Sequence, residues 1–267
     1  MPATDLTLLT DAAREAGVIA KRHFEDGPRA WDKPHGAGPV TEADLEVDAM
    51  LRRELTRARP NYGWLSEETE DNPARLQATN TFIVDPIDGT RAFIEGAQDW
   101  AHSLAIAEHG RVTAAVVYLP LREMMFCAEA GGGATLNGQP IVVSKLRELN
   151  SATVLAARPS LDPVHWRDGA TPPVQRKFRT SLAYRLCLVA AGRFDAMLTL
   201  RPTWEWDVAA GALIVAEASG HATDRSGAPL RFNNPHPQVD GIVAAGEVHG
   251  ALVARLAPQA APAAPFA

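Results

Sequence analysis

Thr81-Phe82-Ile83-Val84-Asp85-Pro86-Ile87-Asp88-Gly89-Thr90 is the stretch on which the reading of this chain turns. Four residues suited to a strand run straight into two carboxylates three positions apart, so a short strand over 81–84 is expected to stop where the acids begin. Pro86 fixes its own φ and Gly89 lets another backbone come close, which allows Asp85 and Asp88 to converge on one small volume. Taken alone, the same run would serve as a polar turn with Asp88 as a helix cap. The sequence on either side decides between the two.

Upstream, Leu9, Ala12, Ala16, Ile19 and Ala20 recur at helical spacing, and Gly27-Pro28 stops the pattern, so a helix is predicted over residues 5–24. A loop broken by Gly and Pro, Lys33 to Pro39, leads to Thr41, which can cap a second helix with Val47, Leu51, Leu55 and Ala58 on one face and an end near Pro60. Downstream, residues 103–143 read as an antiparallel meander with turns at His109-Gly110, Gly131-Gly132-Gly133 and Asn137-Gly138. Beyond about residue 152 the texture alternates: strands near 154–157, 194–200 and 239–245, and helices near 181–191, 207–219 and 247–256. The fold class is therefore α/β, or layered α+β, with a mostly antiparallel N-terminal sheet and its helices beside a smaller α/β C-terminal half. The expected division is 1–152, carrying most candidate ligands, and 153–267, supplying Asp207 and the selectivity residues. The Ala/Pro-rich end, 257–267, is expected to fray.

Composition narrows the function. At 267 residues, 46% hydrophobic and 22% charged, the chain can bury a full core, and disorder is excluded. With 26 Lys+Arg against 32 Asp+Glu the net charge is −6, which argues against nucleic acid or an anionic membrane as the partner. Only Cys127 and Cys187 occur, too far apart for a zinc ribbon, and a reducing, cytoplasmic setting is expected. No signal core or membrane-length apolar run is visible. The eight histidines show no metal-binding spacing; His102, beside Trp100, is the one singled out.

Three further acids matter. Glu67-Glu68 lies upstream of the quoted stretch, and Asp207 opens a strongly apolar run, 208–218, where it could serve only the helix dipole. Together Glu67, Asp85, Asp88 and Asp207 offer what a hard divalent cation requires. Without one they repel: a like pair at 4 Å costs about 4 kcal/mol at an effective dielectric near 20.

Asp85-Pro86-Ile87-Asp88-Gly89-Thr90, Glu67-Glu68, Trp206-Asp207-Val208-Ala209-Ala210-Gly211, Glu217-Ala218-Ser219-Gly220, Lys33, Val40-Thr41 and Asp44 together resemble the inositol monophosphatase family of metal-dependent, lithium-sensitive phosphatases. Ser66 and Ser219 depart from its usual glycines. The resemblance implies an alternating αβαβα sandwich and two to three Mg²⁺ ions per site. One would be held by Glu67, Asp85 and the carbonyl of Ile87, and a second by Asp85, Asp88 and Asp207. It also implies that Thr90, bonded to Asp44, orients or deprotonates the attacking water with Glu67 nearby, and that the amides of Gly89 and Thr90 hold phosphate oxygens. Asp44 could equally close a capping box with Thr41, and Lys33 could be a solvated surface charge.

For the substrate, a small phosphate ester, residues 181–190 and Arg201-Pro202-Thr203-Trp204-Glu205-Trp206-Asp207 look most like the bacterial 3′(2′),5′-bisphosphate nucleotidase branch. On that likeness Arg158, Arg185 and Glu205 become substrate contacts, the arginines meeting a second phosphate. Inositol 1-phosphate is the alternative, then histidinol phosphate; a silent, regulatory binding protein is the non-enzymatic one. The resemblance implies a homodimer as the assembly to test.

Overall fold

Alternation along the central strands sets the layers. The computed structural model describes residues 3–36 and 38–258, so the expected Ala/Pro tail lies outside the described residues from position 259 on. The chain begins with α1 (Asp5–Asp26), capped by the Thr4 hydroxyl on the amide of Thr7, and a short hairpin of β1 (Ala30–Asp32) and β2 (Pro39–Thr41). Helix α2 (Glu42–Ala58) follows. Seven strands then form one sheet in chain order: β3 (Gly63–Ser66), β4 (Asn80–Asp88), β5 (Ala101–Glu108), β6 (Arg111–Leu119), β7 (Met124–Glu129), β8 (Gly133–Leu136) and β9 (Gln139–Pro140). All neighbours are antiparallel except β3 and β4. The one-turn helix α3 (Thr90–Ile94) sits between β4 and β5.

The rest of the chain gives β10 (Thr153–Ala156), β11 (Gln175–Lys177), α4 (Leu182–Ala190), β12 (Ala196–Thr199), β13 (Thr203–Trp204), α5 (Glu205–Glu217), β14 (His221–Thr223), β15 (Gln238–Val239), β16 (Ile242–Ala245) and α6 (His249–Arg255). A five-stranded mixed sheet has the order β11-β10-β12-β16-β14, while β13 and β15 pair by themselves.

On β4, Phe82 and Val84 face one cluster with α1 and α2, whereas Ile83 faces a second cluster with α4 and α5. The five-stranded sheet does the same: Leu155 and Met197 meet α4 and α5, and Val154 and Leu198 meet α6. The layers are therefore α1/α2, sheet, α4/α5, sheet, α6, the alternating sandwich expected. This period-2 division explains why α5 has no polar stripe: residues Val208–Val215 are all buried, because both its flanks meet a sheet. Among the described residues no helix is long and apolar enough to cross a membrane.

Two expectations change. The strand expected over 81–84 runs on to Asp88, because the ladder to β5 resumes after a register shift, with Asp85 opposite Ser103 and Asp88 opposite Ala101. The last predicted strand is cut at Gly241 into β15 and β16.

Candidate metal centre and active-site cleft

The bulge between Asp85 and Asp88 puts both buried acids in the lining of a cleft of about 430 Å³. Gly89 follows at φ 100°, where a Cβ would also stand 3.1 Å from the carbonyl oxygen of Asp99. This one position requires glycine on both counts. The chain can then turn at once into α3, and Thr90 is presented to the cleft.

Glu67 arrives from the end of β3, hydrogen-bonded through its amide to the carbonyl of Val84. Asp207 arrives from the first turn of α5. Carboxylate oxygens of Glu67, Asp85 and Asp207 all lie within 4.8 Å of one another. Burial and repulsion from Glu67, Asp88 and Asp207 push the Asp85 carboxyl well above its ordinary value, and burial, Asp88 and Glu67 do the same to Asp207. Asp85 Oδ1 is buried with no hydrogen-bond partner. An orphaned buried carboxylate oxygen facing two more carboxylates fits a divalent cation, which would satisfy the lone pairs and cancel the repulsion. Lys33 is not a solvated charge: its Nζ donates to Glu67 at 2.8 Å and Glu68 at 2.6 Å. Burial nonetheless raises the Glu68 carboxyl to about 7, helped by Glu67 and opposed by Lys33.

Asp44 both closes the capping box and meets the Thr90 hydroxyl. Oδ2 accepts from the amide of Thr41 at 2.9 Å and its hydroxyl at 2.5 Å, closing the capping box of α2. Oδ1 faces the Thr90 hydroxyl at 3.4 Å, and that hydroxyl also lies 3.1 Å from the carbonyl oxygen of Ile87. Burial lifts the Asp44 carboxyl to about 6 against the bonds from Thr41.

Four expected site residues are placed differently. Asp88 stands outside the close trio because the N-terminus of α4 holds it: Oδ2 accepts from the Ser181 hydroxyl at 2.5 Å and the Ala183 amide at 2.6 Å, and Oδ1 accepts from the Leu182 amide at 3.2 Å. Burial raises its pKa to about 6 in spite of these bonds. Glu205 is fully buried and turned away from the cleft, accepting from the amides of Asn233 and Asn234 and the Asn234 side chain; it ties the 233–234 loop to α5. Arg158 is exposed at the start of a 3₁₀ turn and does not line the cleft, although its neighbour Ala157 does. Arg185 does line it, but its Nε and Nη2 donate to the carbonyls of Arg179 and Thr180, and its guanidinium lies 4.4 Å over the Phe178 ring.

Two more arginines line the cleft, Arg91 on α3 and Arg201, neither of which sequence reasoning assigned to the site; Arg201 is the one beside Asp207. It lies past the end of β12, near enough to Asp207 to oppose the rise in its pKa. The half-exposed ring of Phe178 completes that part of the lining. An Arg-Pro pair closing a strand was the available signal, but nothing in it separates a cleft arginine from a surface one.

The family profile for the inositol monophosphatase family matches residues 2–261. An inositol-1-monophosphatase of Rhizobium meliloti is 34% identical over 232 residues, covering 83% of this chain and 86% of that protein. The Nus factor SuhB of Salmonella typhimurium is 33% identical over 233 residues, covering 83% and 85%. Among solved structures, the extragenic suppressor protein suhB of Bartonella henselae superposes with a TM-score of 0.78 at 30% identity, covering 93% of this chain and 96% of that one.

Proposed function

Since the chain belongs to the inositol monophosphatase family of phosphoric monoester hydrolases, we propose that it hydrolyses a small phosphate monoester with Mg²⁺, and that its preferred substrate carries a second phosphate. The observation that carries the metal reading is the unpartnered Asp85 Oδ1 within the Glu67, Asp85 and Asp207 trio.

Those three carboxylates would hold one cation, with the Ile87 carbonyl beside them. Asp88 Oδ1, which accepts one long bond from Leu182, keeps a lone pair for a second shared with Asp85 and Asp207. Bound Mg²⁺ supplies charge neutralisation at the leaving oxygen and a water of lowered pKa. The protein's part is to hold and move the proton. Ionised Asp44 accepts from the Thr90 hydroxyl, which frees a Thr90 lone pair to accept from water in the cleft. The amides of Gly89 and Thr90 would steady the phosphate oxygens.

Support for a second phosphate comes from Arg91, Arg185 and Arg201, all in the lining of the same cleft, with Phe178, whose ring the Arg185 guanidinium covers on one side, beside them. Adenosine 3′,5′-bisphosphate is therefore the first substrate to assay. Inositol 1-phosphate is the second, favoured by the name of the R. meliloti relative. Steady-state kinetics with Mg²⁺ on both esters test the choice. Removing a charged contact costs about 1.5 to 3 kcal/mol, so Arg201→Ala should lower kcat/KM for the bisphosphate at least about tenfold and leave inositol 1-phosphate nearly unchanged. A wild-type preference for inositol 1-phosphate would overturn the bisphosphate reading.

A further inference from the structure

His102 is a buried side chain that none of the chemistry above uses. It lies on β5 between Ala101 and Ser103, the residues paired with Asp88 and Asp85, and so stands opposite the two extra residues of the bulge, Pro86 and Ile87. Its Nδ1 is 2.5 Å from the carbonyl oxygen of Pro86. A carbonyl only accepts, so Nδ1 carries the hydrogen and the neutral ring is the Nδ1–H tautomer. The ring is inaccessible to solvent, held between Trp100 at 5.7 Å and Tyr118 at 6.3 Å, and Nε2 has no hydrogen-bond partner.

An imidazole is a poor choice for filling that space. Phe or Leu would pack there without burying an unpaired nitrogen. What the imidazole adds is one bond, made to the carbonyl whose direction sets the ψ of Pro86. The ring of Pro86 sets its φ, but its ψ depends on where its carbonyl points. Rotating that peptide would swing the Ile87 carbonyl and the Asp88 side chain relative to Asp85. The next carbonyl, that of Ile87, lies 3.1 Å from the Thr90 hydroxyl. His102 holds Pro86 from the side of the sheet.

We propose that His102 is a positioning residue: by fixing the Pro86 carbonyl it sets the geometry of the Asp85–Asp88 turn and so its affinity for a divalent cation. This rests on Asp85 being a cation ligand. Outer partners that orient metal ligands typically tune affinity 10- to 100-fold. In calorimetric titrations of the full chain with Mn²⁺ alone, His102→Phe, which keeps the bulk and loses the donor, should bind about tenfold more weakly. His102→Asn, whose amide N–H reaches the place of Nδ1–H, should recover most of the loss. The Mg²⁺ concentration for half-maximal turnover should follow the same order, with kcat at saturating Mg²⁺ much less affected.

Unchanged Mn²⁺ affinity in His102→Phe overturns the proposal. Equal impairment in the Asn and Phe variants also overturns it, since packing would then be the cause. Long-range ¹H–¹⁵N correlations on the wild-type protein need no variant: they should show the hydrogen on Nδ1, and a hydrogen on Nε2 refutes the bond. Asp85→Asn in the same titration keeps the two readings apart. If it binds Mn²⁺ as the wild type does, the cation assignment itself fails; if it does not and His102→Phe does, only the positioning role fails.

Discussion

At Thr90 a single hydrogen faces two acceptors, Asp44 and the Ile87 carbonyl. In the proposed mechanism only the bond to Asp44 would pass a proton toward a group able to take it, and the hydroxyl would then matter most in the transition state. Thr90→Ala should therefore lower kcat by about 10² to 10⁴ with a smaller change in KM, while Thr90→Ser retains much of the activity. An Ala defect confined to KM in steady-state kinetics would reduce Thr90 to a binding contact. At this scale the acids and Thr90 were legible in sequence, because side chains that repel so strongly have few reasons to be neighbours. The arginines were not. Whether Arg158 or Arg201 faces the substrate depends on how a 3₁₀ turn and a strand end are aimed, and both present the same local sequence chemistry. Glu205 misled for a related reason. It is two residues from Asp207, and two steps along a helix separate side chains by more than half a turn.

Elements raise a different question, that of how closely two helices approach. A Cβ on Gly211 of α5 would stand 2.5 Å from the Cβ of Leu186 on α4, so the missing side chain is what lets these helices pack. Gly→Ala inside a helix ordinarily gains about 1 kcal/mol. Here overpacking, typically costing about 1 to 3 kcal/mol, should win. Gly211→Ala is expected to melt several degrees lower in a thermal scan, and an equal or higher melting temperature would show that α4 yields without penalty. Helix positions were readable from periodicity and, for α2, from the Thr41 cap. The purpose of Gly211 was not, since its neighbour lies on another element. Strand β3, parallel to β4, also escaped the sequence reading, because four residues that are only half apolar give no alternation to detect.

For the molecule as a whole, the cleft's carboxylates make stability depend on pH and on metal. Burial raises Asp44 and Asp88 to about 6 and Glu68 to about 7. Each group binds its proton more tightly folded than unfolded. Between about pH 4 and 7 the folded state therefore holds the extra protons, and the free energy of unfolding falls as pH rises. The groups shifted the other way, the carboxyls Glu46, Asp71 and Asp195 and the buried imidazoles His102, held down to about 4, and His249, oppose this trend, and the raised Asp85 and Asp207 add to it. Metal-free protein should thus melt highest near pH 5 and lower at pH 8, with Mg²⁺ restoring more at pH 8 than at pH 5, as read by differential scanning fluorimetry. A metal-free melting temperature that rose between pH 5 and pH 8 would contradict this. The layered order bears finally on synthesis. The seven-stranded sheet is complete once Pro140 has left the ribosome, yet the apolar face that α4 and α5 will cover stays bare until Leu182–Glu217 emerges. During that interval the nascent chain carries a finished sheet with one uncovered hydrophobic side, the kind of surface that chaperones bind and neighbouring nascent chains stick to.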